Sequence, residues 1–85
     1  MSKMFKLMEN ELDTVFASLS YTRACIKNVE TLADYILEND DKANYTEEMI
    51  NIAEKLSQDM FNLNLKIESN QELIEGIKKK ITKLY

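Results

Sequence analysis

The 85-residue chain contains no histidine, proline or tryptophan, and only one glycine and one cysteine. A single cysteine cannot close an internal disulfide, and without histidine the lone thiol cannot assemble the usual zinc sets. Cys25 has no imidazole to activate it, so cysteine–histidine nucleophilic catalysis is excluded. One glycine cannot build a glycine-rich phosphate loop. No apolar run approaches the roughly 20 residues that cross a bilayer. Met1 to Met8 is amphipathic, interrupted by Lys3 and Lys6, and lacks the hydrophobic core of a signal peptide. The expectation is a cytoplasmic, non-enzymatic protein without cofactor or metal.

The net charge of −4 argues against a DNA binder, which needs a cationic face to release counterions from phosphates. The charges that are present are polarised along the chain. Glu38, Asp40, Asp41, Glu47 and Glu48 gather in the middle, and Lys3, Lys6, Lys78, Lys79, Lys80 and Lys83 near the two ends. Folding the chain back on itself therefore makes one tip basic and the other acidic, in the sense that helix dipoles favour.

What is abundant is heptad-spaced apolar residues. Steps of three and four give Phe5, Met8, Leu12, Val15, Leu19, Thr22, Ile26, Val29, Ala33 and Ile36 in the first half. In the second they give Met49, Ala53, Leu56, Met60, Leu63, Ile67, Asn70, Ile74, Ile77, Ile81 and Leu84. A period of about 3.5 with one polar member per stripe predicts two long helices packed as an antiparallel hairpin. The fold class expected is all-α, a single domain over residues 1–85, with helix 1 over about 3–38, a connection over 39–44 and helix 2 over about 45–84.

Local signals set the boundaries. Ser2 suits an N-cap, and Asn44 with Glu47 has capping-box spacing, with Thr46 as a second N-cap if helix 2 starts later. Ala17 to Thr22 is the weakest part of helix 1, because Ser18, Ser20 and Thr22 compete for backbone hydrogen bonds. A break at 17–22 would divide it into an arm of about 4–16 and a helix of about 21–38. Gly76 falls outside the stripe as a tolerated surface defect or a point of close backbone approach.

A domain this small gains too little from its own core to dispense with help, and the stripes are wider than one hairpin covers. Met4, Cys25 and Leu32 flank the first seam, and Ile50, Ile52 and Leu73 the second; Cys25 reads as a small packing residue. Self-association into a multi-helix homo-oligomer would supply the missing neighbours. Asn70, a polar member of the seam, reads as a device fixing register or oligomer state.

The side chains best suited to a ligand lie halfway along the rod. Tyr21, Arg23, Lys27 and Asn28 stand at about the height of Lys55, Phe61 and Asn62. Cations hold phosphates and aromatic faces stack on bases, so an anionic nucleotide fits if oligomer packing joins these groups. They serve equally as side chains snorkelling around an interface.

Leu32-Ala33 followed by Ile36-Leu37-Glu38, then Lys55-Leu56, Met60-Phe61, Asn64 and Ile67, resemble the helical hairpin of phage proteins that sequester the cyclic nucleotide signals of bacterial immunity, the anti-CBASS and anti-Thoeris sponges. The likeness spans about half the chain. Ile26-Lys27 is similar to an Ile-Lys pair whose lysine binds ligand in part of that family, whereas Leu12 stands where the family has a tyrosine 15 residues earlier. The resemblance implies a non-enzymatic oligomer of hairpins binding cyclic nucleotides between protomers, with Lys27 and Arg23 on phosphates and Tyr21 or Phe61 stacked on a base. Two other function classes fit the same pattern: a small protein-binding inhibitor or adaptor that lays a helix face on its partner, and a purely structural coiled coil.

Overall fold

The computed structural model describes residues 3–38 and 44–84. They form two α-helices of 36 residues each, α1 (Lys3–Glu38) and α2 (Glu47–Thr82). At 1.5 Å per residue each helix is about 54 Å long, and packed antiparallel they make a rod of 63 × 16 × 15 Å. No strand occurs among the described residues. The expected N-cap at Ser2 and most of the expected connection, Asn39 to Ala43, lie outside them.

α1 runs unbroken through 17–22, against the expected weak point. The hydroxyls there do not pull the backbone apart. Thr22 Oγ1 donates to its own helix at Ser18 O (3.0 Å), and Ser20 Oγ accepts a cross-helix bond from Gln71 Nε2 (2.8 Å). α2 starts later than the Asn44 capping box requires. Thr46, in extended conformation, accepts from the Met49 N–H at 3.2 Å and is the N-cap. Glu47 and Glu48 follow in the first turn and Lys79 and Lys80 sit in the last, each matching the helix dipole. Lys83 N–H to Lys79 O (3.2 Å) and Leu84 N–H to Ile81 O (2.9 Å) close the final turn.

One row of the expected seam on each helix faces the partner helix: Leu12, Leu19, Ile26 and Ala33 on α1, and Ala53, Met60, Ile67, Ile74 and Ile81 on α2 are buried or half-buried. Ala33 and Ala53, the latter 2% exposed, let the helices approach closely near one end. The companion rows are a correction. Val15, Val29, Met49, Leu56, Leu63 and Ile77 are exposed, and the row one residue further on turns inward instead. It consists of Glu9, Phe16, Arg23, Glu30 and Leu37 on α1, and Ile50, Ser57, Asn64, Gln71 and Lys78 on α2.

The inversion has a physical cause. Arg23, Gln71 and Lys78 lay their aliphatic stems over the seam while their polar heads find partners at its edge. Gln71, 4% exposed, donates to Phe16 O (3.2 Å) and Ser20 Oγ and accepts from Arg23 Nη1 (2.9 Å). Lys78 pairs with Asp13 across the helices, and Ser57 donates to Asp34. Asn70 and Thr22 are exposed, so the buried amide of the seam is Gln71 rather than Asn70. Cys25, expected to pack beside the seam, is also exposed.

Candidate functional site

Four cross-helix contacts set the register. Gln71 lies level with Ser20, Ser57 with Asp34, Lys78 with Asp13, and Glu68 with Arg23. Their outer members, Asp13, Ser20 and Asp34 on α1 and Glu68 on α2, mark one long side of the rod as polar. Lys27 belongs to the first of these rows, seven residues from both Ser20 and Asp34, and Phe61 to the second, seven before Glu68. By the same register Lys27 is level with Asn64 and Phe61 with Glu30, about one helical turn apart.

Arg23, Lys27 and Phe61 are thus brought to one side of the hairpin. Tyr21 is not. It is 74% exposed and, two residues before Arg23, projects from α1 about 200° away from it. Asn28, Lys55 and Asn62 are also on outward faces, Lys55 held by Asp59 at 3.1 Å one turn along α2.

The two cations differ in how firmly they are committed. Arg23 is held by Gln71 Oε1 and by Glu68 (3.5 Å), and the shallow groove beside it presents Glu68, Glu72 and Glu75 against Lys79. Those carboxylates oppose an anion at the guanidinium. Lys27 has one acidic neighbour, Glu30 at 3.2 Å, and its side chain is 64% exposed. Glu30 is itself buried, its side chain 11% exposed, so the ammonium is open to an incoming anion on its solvent side while it stays paired with that carboxylate. Between them Asn64 donates from Nδ2 to Arg23 O (3.4 Å), while its buried Oδ1 has no hydrogen-bond partner.

The polar rows hold the groups that pattern-reading at the seam passes over: Gln71, Asn64, Ser57 and Lys78. Their signal is the seven-residue spacing of 57, 64, 71 and 78, which an apolar template skips because the row itself is polar. At Lys78 the hydrogen bond to Asp13, joined by the charges of Asp13, Glu75 and Glu9, holds the ammonium above the ordinary lysine value against a desolvation that lowers it.

Among the described residues, no group of three or more carboxylates or thiols is placed to hold a metal ion, and no helix is long and apolar enough to cross a membrane. Comparison with protein-family models, curated proteins and solved structures finds no match for the chain.

Proposed function

We propose that this chain is a non-enzymatic, cytoplasmic binding protein that works as a homo-oligomer of hairpins and sequesters cyclic oligonucleotide immune signals in pockets completed between neighbouring copies. The observation that carries the proposal is the division of the mid-rod groups. Lys27 and Phe61 share the polar side within about one turn of each other, and Tyr21 faces away from them on the same chain. A pocket that stacks a base and holds its phosphates therefore draws Lys27 and Phe61 from one hairpin and Tyr21 from the next. Lys27 is the leading phosphate contact. Arg23 is second, because the groove beside it already holds Glu68, Glu72 and Glu75.

Charge-assisted bonds to phosphate contribute about 1.5 to 3 kcal/mol each. Lys27→Ala should weaken binding about tenfold or more, at about 1.4 kcal/mol per decade, with helicity unchanged. Arg23→Ala should cost less affinity and more stability. Calorimetric titration with cyclic dinucleotides and trinucleotides, against linear nucleotides, measures both. No heat from any cyclic ligand, in nucleotide-free and correctly assembled protein, defeats the proposal.

The exposed apolar row favours a second reading, a protein-binding inhibitor or adaptor that lays this face on a partner's helix. Native mass spectrometry of protein purified from cells separates the two: a retained mass of nucleotide size supports sequestration, and a retained polypeptide supports the adaptor.

A further inference from the structure

The side of the rod away from the polar contacts carries a mainly apolar row on each helix, with a polar belt at its middle and Glu11 bordering it toward one end. On α1 the row on this side is Met8, Val15, Thr22, Val29 and the half-buried Ile36; on α2 it is Leu56, Leu63, Asn70, Ile77 and Leu84. Both rows read the same in either direction. Thr22 has an apolar residue seven and fourteen positions to each side, and so has Asn70. The two polar centres are also level, because Gln71 sits opposite Ser20. Apolar troughs open on this face to either side of the belt. One of about 410 Å³ is lined by Val29, Leu32, Ile36, Met49, Ile52 and Leu56, and the other by Met4, Leu7, Met8, Val15 and Ile77 among others. Leu32 is 67% exposed, a costly state for an aliphatic side chain with nothing over it.

We infer that this face is the contact between two copies of the chain, related by a two-fold axis that crosses the rod at Thr22 and Asn70, so that the hairpins run antiparallel. The axis sets Met8 against Ile36 of the second copy, Val15 against Val29, Leu56 against Leu84 and Leu63 against Ile77. Thr22 meets its own counterpart, and so does Asn70, whose amide carries both donors and an acceptor and can bond its twin reciprocally. Sliding the copies by a heptad would press each Asn70 onto an aliphatic side chain with its amide unsatisfied, which makes the belt a register lock.

Charge selects the same orientation. Beyond Glu9 and Glu75 every charged side chain toward the 3 and 84 end of the rod is a lysine: Lys3, Lys6, Lys78, Lys79, Lys80 and Lys83. At the other end Glu38, Glu47, Glu48 and Glu54 stand against Lys55. Antiparallel copies lay the lysine end of one over the acidic end of the other, whereas parallel copies would place like on like. The area is sufficient. A face 63 Å long and 15 Å wide has room for the about 800 Å² per partner typical of stable interfaces.

The inference rests on the oligomeric part of the proposed function and not on its ligand, so it is tested without nucleotide. In a Cys25→Ser background, Thr22→Cys should form a disulfide-linked dimer on mild oxidation. Met8→Cys alone should not, and an equimolar mixture of Met8→Cys and Ile36→Cys should cross-link between the two variants. Leu32→Glu, at an already exposed position, should raise the dissociation constant at least about tenfold with helicity retained. Self-linking of Met8→Cys, or no linking of Thr22→Cys in protein of oligomeric mass, overturns the two-fold arrangement alone. A monomer overturns the arrangement and the oligomer together. A heatless nucleotide titration of protein with the expected cross-links overturns only the ligand assignment.

Discussion

Two rows flank the shared apolar row on each helix, and they differ in chemistry and in direction. The row turned into the hairpin carries Arg23, Glu30, Ser57, Asn64, Gln71 and Lys78 beside Phe16, Leu37 and Ile50; the row turned out carries Val15, Val29, Leu56, Leu63 and Ile77 around Thr22 and Asn70. A protein built to be stable as one hairpin would reverse them. With the polar row inside, cohesion within the chain comes mostly from Leu12, Leu19, Ile26, Ala33 and their α2 counterparts, while the bonds of Gln71, Lys78 and Ser57 fix which residue faces which. With the apolar row outside, part of the favourable burial is left for a neighbour to complete. One set of contacts sets alignment within a chain, and the other is available for assembly between chains.

Truncating the shared row should show the largest effect. Ile67→Ala or Ile26→Ala removes a buried side chain and should cost about 2 to 5 kcal/mol by denaturant unfolding, at any protein concentration. Leu63→Ala on the outward row sharpens the contrast. Its cost should be substantial in concentrated protein and shrink on dilution, because the contacts it loses lie between chains. Equal, concentration-independent losses for Ile67→Ala and Leu63→Ala would place both residues inside one hairpin.

Next in size is Gln71→Ala, which removes three hydrogen bonds of a buried amide and should cost about 1 to 3 kcal/mol. Asn70→Ala should cost the hairpin less than about 0.5 kcal/mol in dilute protein, as an exposed substitution does. Thermal melts of the two variants decide the matter; a larger loss at Asn70 would return the buried amide to the apolar template. Gly76→Ala should stabilise by about 1 kcal/mol, since a Cβ at Gly76 meets nothing within 4 Å and the backbone there is ordinary helix. A loss would mean that another backbone approaches at that point.

The smallest effect concerns pH. Lys78 has a folded-state pKa above its unfolded value, so the stabilisation from its pairing with Asp13 is complete at neutral pH and disappears only as pH rises through the raised value, above the ordinary lysine range. Lys78→Met should flatten that alkaline slope in pH-dependent melts and leave the neutral-to-mildly-alkaline range level.

The hairpin, its helix lengths and the placement of Ile26 and Ile67 were legible in the sequence, because a 3.5-residue period survives whichever flanking row turns inward. The choice of flanking row was not. Hydrophobicity favours Val29 and Leu63 over Glu30 and Asn64, and the structure inverts that preference through Arg23 and Lys78, which bury stems and keep their heads at the edge, and through Gln71, whose buried amide is satisfied by Arg23, Phe16 and Ser20. The capping of α2 was half legible, since Asn44 and Thr46 both offer a cap and only the helix start at Glu47 separates them. Of the candidate site, heights along the rod followed from arithmetic, and faces did not. Tyr21 and Arg23 are two residues apart and therefore project about 200° apart around α1, which no level-by-level count reveals.

Sedimentation equilibrium of the unmodified chain at micromolar concentration tests most directly the central claim that the outward apolar row joins chains. The account predicts a mass of at least twice the 9.9 kDa chain, falling toward one chain when Leu32→Glu is introduced. A single 9.9 kDa species with full helicity across the concentration range would contradict it, and would make the exposed row a stable free surface of a self-sufficient hairpin.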